Sequence, residues 1–132
     1  MAANDYVCII EDEPDIRETL REILETEGFN VRVAANGQEA LNLLKQDGLR
    51  PGVILLDLMM PVMNGWEFIE AAKKDPTLSS IPILIMSAAS LTNPIVETAE
   101  GFIRKPVEIE HLLKLLLKQL NKSRVGEVKE GA

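Results

Sequence analysis

Short apolar runs alternate along the chain with longer stretches in which apolar positions recur every three or four residues. The runs are Tyr6 to Ile10, Phe29 to Ala34, Val53 to Asp57, Ile83 to Ser87 and the weaker Gly101 to Arg104. Their lengths and apolar character predict five strands, and the stretches between them predict helices. Parallel strands joined by helices require right-handed crossovers and helices on both faces of the sheet. The predicted fold is therefore α/β, an open, doubly wound, five-stranded parallel sheet.

Boundary signals locate the helices. Pro14 suits a first helical position because its φ is fixed and it has no N–H to leave unpaired; Asp12 or Glu13 precedes it as a cap, and Gly28 ends the helix. Ile16, Leu20, Ile23 and Leu24 form the apolar stripe between them. Asn36 with Glu39, and Asn64 with Glu67, have the spacing of an N-cap and its capping-box acid, and predict the starts of the second and third helices. Ile109, Leu112, Leu113, Leu116, Leu117 and Leu120 keep the helical period and predict the last helix, with Lys114, Lys118 and Lys122 on its solvated face. Between Ser87 and Lys105 the sequence "AASLTNPIVETAEGFIR" leaves room from Asn93 to Gly101 for a fourth helix of about two turns. Residues 1–122 then form one domain, and the polar stretch Ser123 to Ala132 is expected to be a frayed tail.

Composition narrows the setting. A chain of 132 residues buries enough surface to fold without a disulfide or structural metal. Cys8, the only cysteine, lies inside an apolar run and has no internal partner, which fits a reducing compartment. No apolar stretch approaches the ~20 residues of a membrane span, and the N-terminal "MAANDY" has no secretory pattern. The expected location is cytoplasmic. A net charge of −7 opposes binding to phosphate backbones, so direct nucleic-acid binding is not expected.

In doubly wound sheets, ligands gather at the carboxyl ends of the strands. Here the first strand ends in Glu11 and Asp12, the third in Asp57, the fourth in Ser87, and the fifth in Lys105 followed by Pro106. A carboxylate at the end of the buried run Val53 to Leu56 needs a partner or a task, because an unpaired buried charge costs several kcal/mol in order of magnitude. Three acids in one cleft also repel, by about 4 kcal/mol per pair at 4 Å and an effective dielectric near 20. Lys105 supplies one positive charge, and an all-oxygen donor set suits Mg²⁺. Zinc is disfavoured, since no ligand spacing surrounds Cys8 or His111. With these charges neutralising the incoming oxygens, Asp57 is placed to attack phosphorus and become an acyl phosphate.

The fragments "IIEDEPDIR", "LLDLMMPVMNGWEFI", "ILIMSA" and "GFIRKPV" together resemble the receiver domain of two-component response regulators, from about Tyr6 to Leu120. The resemblance implies the flavodoxin-like strand order 2-1-3-4-5. It implies that Asp57 accepts a phosphoryl group from a histidine kinase or histidine phosphotransfer protein. Glu11, Asp12, Asp57 and the backbone carbonyl of Met59 would hold Mg²⁺. Lys105 would bind a phosphoryl oxygen across an expected cis bond to Pro106. Ser87 would swing toward the phosphorylated Asp57, and Phe102 would repack as the switch aromatic. Chemistry would be limited to the chain's own phosphorylation and dephosphorylation, with the signal passing to an output protein and the chain a monomer or weak dimer. The fourth helix is a few residues shorter than the family's usual one. Met59 and Ala89, two residues past Asp57 and Ser87, cannot orient water, so slow loss of phosphate is expected.

Each residue also has a plainer reading. Glu11 and Asp12 could cap the first helix, a role compatible with metal binding. Asp57 could form a turn, although a turn needs no buried strand before it. Ser87 and Lys105 taken singly are an ordinary strand-end hydroxyl and a surface lysine. Phe102 is expected in the core, Met60 and Trp66 in packing or surface positions, and His111 in solvent or at an edge. The alternative function is an interaction module that binds its partner without phosphorylation. An aspartyl-phosphate phosphatase is disfavoured because Met59 stands where a second acid is wanted. A dinucleotide or flavin carrier is disfavoured because "EDEPD" lacks glycine for close approach to a phosphate.

Overall fold

Side chains of the central strands alternate between the two faces of the sheet, and each face meets helices. A computed structural model describes residues 6–46, 50–87 and 98–131, without the side chains of 121–131. The strands are β1 (Val7–Ile10), β2 (Val31–Ala34), β3 (Val53–Asp57), β4 (Ile83–Ser87) and β5 (Gly101–Arg104). The described helices are α1 (Pro14–Thr26), α2 (Gly37–Gln46), α3 (Gly65–Lys74) and α4 (Ile109–Gly131). All strand pairs are parallel, in the order β2-β1-β3-β4-β5. This is the flavodoxin-like arrangement expected from the sequence.

β1, β3 and β4 are buried along their whole length, as strands covered on both faces must be. Cys8, Ile10, Ile54 and Leu56 face one layer, packed with Leu41 and Leu44 of α2 and Phe68 and Ile69 of α3. Val7, Ile9, Val53 and Leu55 face the other, with Leu20 and Leu24 of α1 and Leu112, Leu116 and Leu120 of α4. The sheet thus has a hydrophobic core on each face. Cys8 is fully buried, and burial pushes its thiol up to about 12, so it offers no reactive thiolate.

The helix ends follow the signals. Pro14 opens α1 after Glu13, which takes the cap position but makes no side-chain capping bond, contrary to expectation, and Gly28, at φ 95°, closes the helix. The Gly28 N–H donates to the Glu25 carbonyl and the Phe29 N–H to that of Leu24, the paired bonds of a Schellman motif. At α3, Asn64 Oδ1 accepts from the Glu67 N–H while Glu67 Oε1 accepts from the Asn64 N–H, a complete capping box. At α2, Asn36 caps the Glu39 N–H, but the Glu39 carboxylate reaches one residue further back, to the Ala35 N–H.

Three expectations meet a different structure or none. Helical backbone continues to Gly131, through the stretch expected to fray; residues 121–131 contain no proline, and an established helix gains one bond for each residue added. Phe102 is not in the core but 40% exposed. β5 is an edge strand in which only Ile103 is buried, so Phe102 and Arg104 point the other way. The shortened fourth helix falls on residues 88–97, and Ala89 with it, outside the described residues.

Tyr6, the single tyrosine, is buried just before β1, with no partner for its hydroxyl among the described residues and its ring 5.0 Å from the Arg32 guanidinium. Burial, reinforced by Cys8 and partly offset by Arg32, raises its pKa from 10.0 to about 12. Because the folded value lies above the unfolded one, this stability is complete below pH 10 and is lost between pH 10 and about 12. A spectrophotometric titration of phenolate is expected to give a midpoint near 12 in the native protein and near 10 in denaturant. A native midpoint near 10 with the fold intact would contradict the burial assigned to the hydroxyl.

Candidate functional site

The polar side chains that end β1, β3, β4 and β5 converge at the carboxyl ends of the strands. Parallel pairing sets their level. Ile10 lies beside Leu56, Asp57 beside Met86, and Ser87 beside Arg104, so Glu11, Asp57, Ser87 and Lys105 emerge together. The Lys105 N–H donates to the Ser87 carbonyl at 3.2 Å, which ties the ends of β4 and β5.

Lys105 Nζ lies 2.8 Å from Glu11 Oε1 and 3.4 Å from Asp57 Oδ2. The Glu11 side chain is fully buried, that of Asp57 is 5% exposed, and Lys105 keeps 20% exposure. Burial works against the Lys105 ammonium, but its hydrogen bond to Glu11 and the Asp57 charge outweigh that effect, and its pKa is raised above the ordinary lysine value. Asp57 Oδ1 also accepts from the Met59 N–H at 3.3 Å, and Glu11 Oε2 from the Glu13 N–H at 3.3 Å. Glu11 and Asp57 are therefore buried charges with partners, which answers the cost of placing them there.

Asp12 joins them half-buried. One carboxylate oxygen each from Glu11, Asp12 and Asp57 lie within 4.8 Å of one another. Hard oxygen donors with room for water are what Mg²⁺ selects, so the donor set fits that ion. Of the other expected residues, Ser87 is 4% exposed at the end of β4. The Met59 side chain is 60% exposed, and the Lys105–Pro106 bond is cis. Phe102 lines an open cavity of about 400 Å³ together with Arg104, Lys105, Glu108 and His111.

The sequence model of the response regulator receiver domain matches residues 7–117. The chain belongs to the response regulator receiver family. It is 33% identical over 114 residues to a probable transcriptional regulator, ycf29, of Pyropia yezoensis, covering 83% of this chain and 50% of that protein. It is 32% identical over 114 residues to Protein PilH of Pseudomonas aeruginosa, covering 83% and 93%. The solved response regulator TrrA of Thermotoga maritima, in complex with Mg(2+)-BeF, superposes with a TM-score of 0.78 at 27% identity, covering 88% of this chain and 99% of that one. The receiver chain spans about half the length of ycf29 and nearly all of PilH. No helix among the described residues is long and apolar enough to cross a membrane.

Two residues of the receiver site escaped the sequence reading. Arg17 Nη1 donates to the Glu11 carbonyl at 2.9 Å and reaches the Asp12 carbonyl at 3.5 Å. A signal was present, since a cation in the first turns of a helix opposes the helix dipole and so calls for a local partner. Gly65 packs against the end of β3, where an added Cβ would lie 2.6 Å from Leu58 Cα and 2.8 Å from the Asp57 carbonyl oxygen. Its sequence position, after a capping Asn, did not distinguish it from an ordinary helix start.

Proposed function

We propose that this receiver is a phosphorylation switch in which Asp57 takes the phosphoryl group from a phosphohistidine of a histidine kinase or histidine phosphotransfer protein. The supporting observation is the convergence of Glu11, Asp12 and Asp57, with Lys105 Nζ 2.8 and 3.4 Å from two of them. An Asp57 carboxylate oxygen attacks phosphorus as the N–P bond breaks, the imidazole leaves with that electron pair, and an acyl phosphate remains. Lys105 turns from the carboxylates to a phosphoryl oxygen. Glu11, Asp12, Asp57 and the Met59 carbonyl would hold Mg²⁺, which offsets the negative charge gathered between phosphate and acids. Ser87 then bonds the phosphoryl group, and Phe102, exposed beforehand, moves inward. An output protein reads the change. Met59, whose side chain carries no group to align water, leaves the acyl phosphate long-lived.

Intact mass after incubation with acetyl phosphate, with and without Mg²⁺, tests this reading. Wild type is expected to gain one phosphoryl group only with Mg²⁺, and Asp57→Asn none. No adduct under any condition would favour the alternative, an interaction module that binds without phosphorylation. An adduct that persists in Asp57→Asn would move the acceptor elsewhere. Met59→Asn is expected to shorten the lifetime of the adduct, and an unchanged lifetime would remove the role given to Met59.

A further inference from the structure

We infer that Arg17 is a positioning residue for the cation site, holding the turn that aims Glu11 and Asp12; this rests on the Mg²⁺ site proposed above. The two acids are consecutive, so their directions depend on the backbone between β1 and α1. That backbone is tied from the helix side. The Arg17 N–H donates to the Glu13 carbonyl at 2.9 Å, the Glu13 N–H donates to Glu11 Oε2, and Arg17 Nη1 reaches back to the Glu11 and Asp12 carbonyls. The Arg17 side chain therefore closes a ring of bonds around the turn. A guanidinium suits this task because its nitrogens stay charged and planar, whereas a lysine ammonium at the same place is a point donor on a flexible stem.

Charge and geometry predict opposite effects on cation binding. Arg17 is itself a cation bonded to the backbone of two of the acids, so on charge alone its removal would tighten Mg²⁺. If its service is to aim the carboxylates, removal loosens Mg²⁺, as loss of a group supporting metal ligands does, by about tenfold. Arg17→Lys keeps the charge and isolates the geometry.

The test is calorimetric titration of wild type, Arg17→Ala and Arg17→Lys with MgCl₂, well below each protein's melting temperature, so that loss of fold does not enter. Both variants are expected to bind Mg²⁺ more weakly, Arg17→Ala by about tenfold and Arg17→Lys by less. Affinity equal to or tighter than wild type in Arg17→Ala overturns the inference and leaves the switch reading intact. If Arg17→Ala does not fold, wild-type affinity in Arg17→Lys overturns it equally. A wild type that binds no Mg²⁺ overturns both the site and the role of Arg17.

Discussion

Lys105→Met is expected to slow phosphorylation by acetyl phosphate about a hundredfold and to destabilise the metal-free protein by about 2 kcal/mol. The kinetic effect follows from where the ammonium sits. Its place 3.4 Å from Asp57 Oδ2 puts it beside the oxygens on which charge accumulates as phosphorus is transferred, and loss of one such fixed donor costs on the order of 10² in rate. The stability effect comes from what remains. Glu11, fully buried, loses its 2.8 Å partner, and Asp57 loses its nearest cation. Removing one partner of a fully buried pair costs about 3–5 kcal/mol. The figure here is lower because Lys105 keeps 20% exposure and water can enter its place.

Mg²⁺ and pH separate these contributions. Mg²⁺ should recover part of the lost stability, since a cation bound between the same acids replaces the missing charge, whereas a variant destabilised by poor packing would recover nothing. In wild type the folded-state pKa of Lys105 is raised, so its contribution is complete below the unfolded lysine value of about 10.4 and fades as pH climbs through the folded one. The methionine variant lacks that alkaline loss, and the two stability curves should approach each other above that pH. Stopped-flow phosphorylation with chemical denaturation, each with and without Mg²⁺, measures all of this. Equal stability of the two proteins at neutral pH would show that the ion pairs contribute nothing.

Asp57, Glu11 and Lys105 were legible in the sequence because each ends an apolar run, and a strand buried on both faces gives its end no reason to be charged apart from a shared site. Pairing register was not legible, yet parallel pairing left little freedom once the runs were aligned at their polar ends. Phe102 went astray because an aromatic in a short apolar run reads as core, while an edge strand buries only the residues that alternate toward the helices; in β5 that is Ile103. The start of β2 shifted for a local reason. Phe29 is claimed by the Schellman motif ending α1, where its N–H bonds Leu24, and the strand begins at Val31. Arg17 acts through backbone carbonyls, a contact without a residue-type signature on the partner side. The proposed phosphoryl switch therefore rests on side chains the sequence displays, and the positioning proposed for Arg17 on backbone contacts it does not.

Gly65→Ala is expected to destabilise the protein by about 3 kcal/mol and to reduce phosphorylation of Asp57 without touching any charged group. Gly65 begins α3, and its N–H donates to the Leu58 carbonyl at 2.9 Å, so the helix start is bonded directly to the end of β3. An alanine Cβ would lie 2.6 Å from Leu58 Cα, 2.8 Å from the Asp57 carbonyl oxygen and 2.8 Å from Leu58 Cδ2. Two of those three neighbours are backbone atoms of a buried strand end, and no rotamer change relieves them. Either α3 moves outward, loosening Phe68 and Ile69 in the core, or the strand end moves, displacing Asp57 from Lys105. Overpacking that forces backbone shifts costs about 1–3 kcal/mol, and this case belongs at the upper end because both contacting segments are buried. Gly28→Ala is the control. It strains a positive φ at a helix end, where an added Cβ meets nothing, so it should lower stability without slowing phosphorylation in the protein that remains folded. If Gly65→Ala is as stable as wild type and is phosphorylated as fast, the contact between α3 and the β3 end does not fix the aspartate.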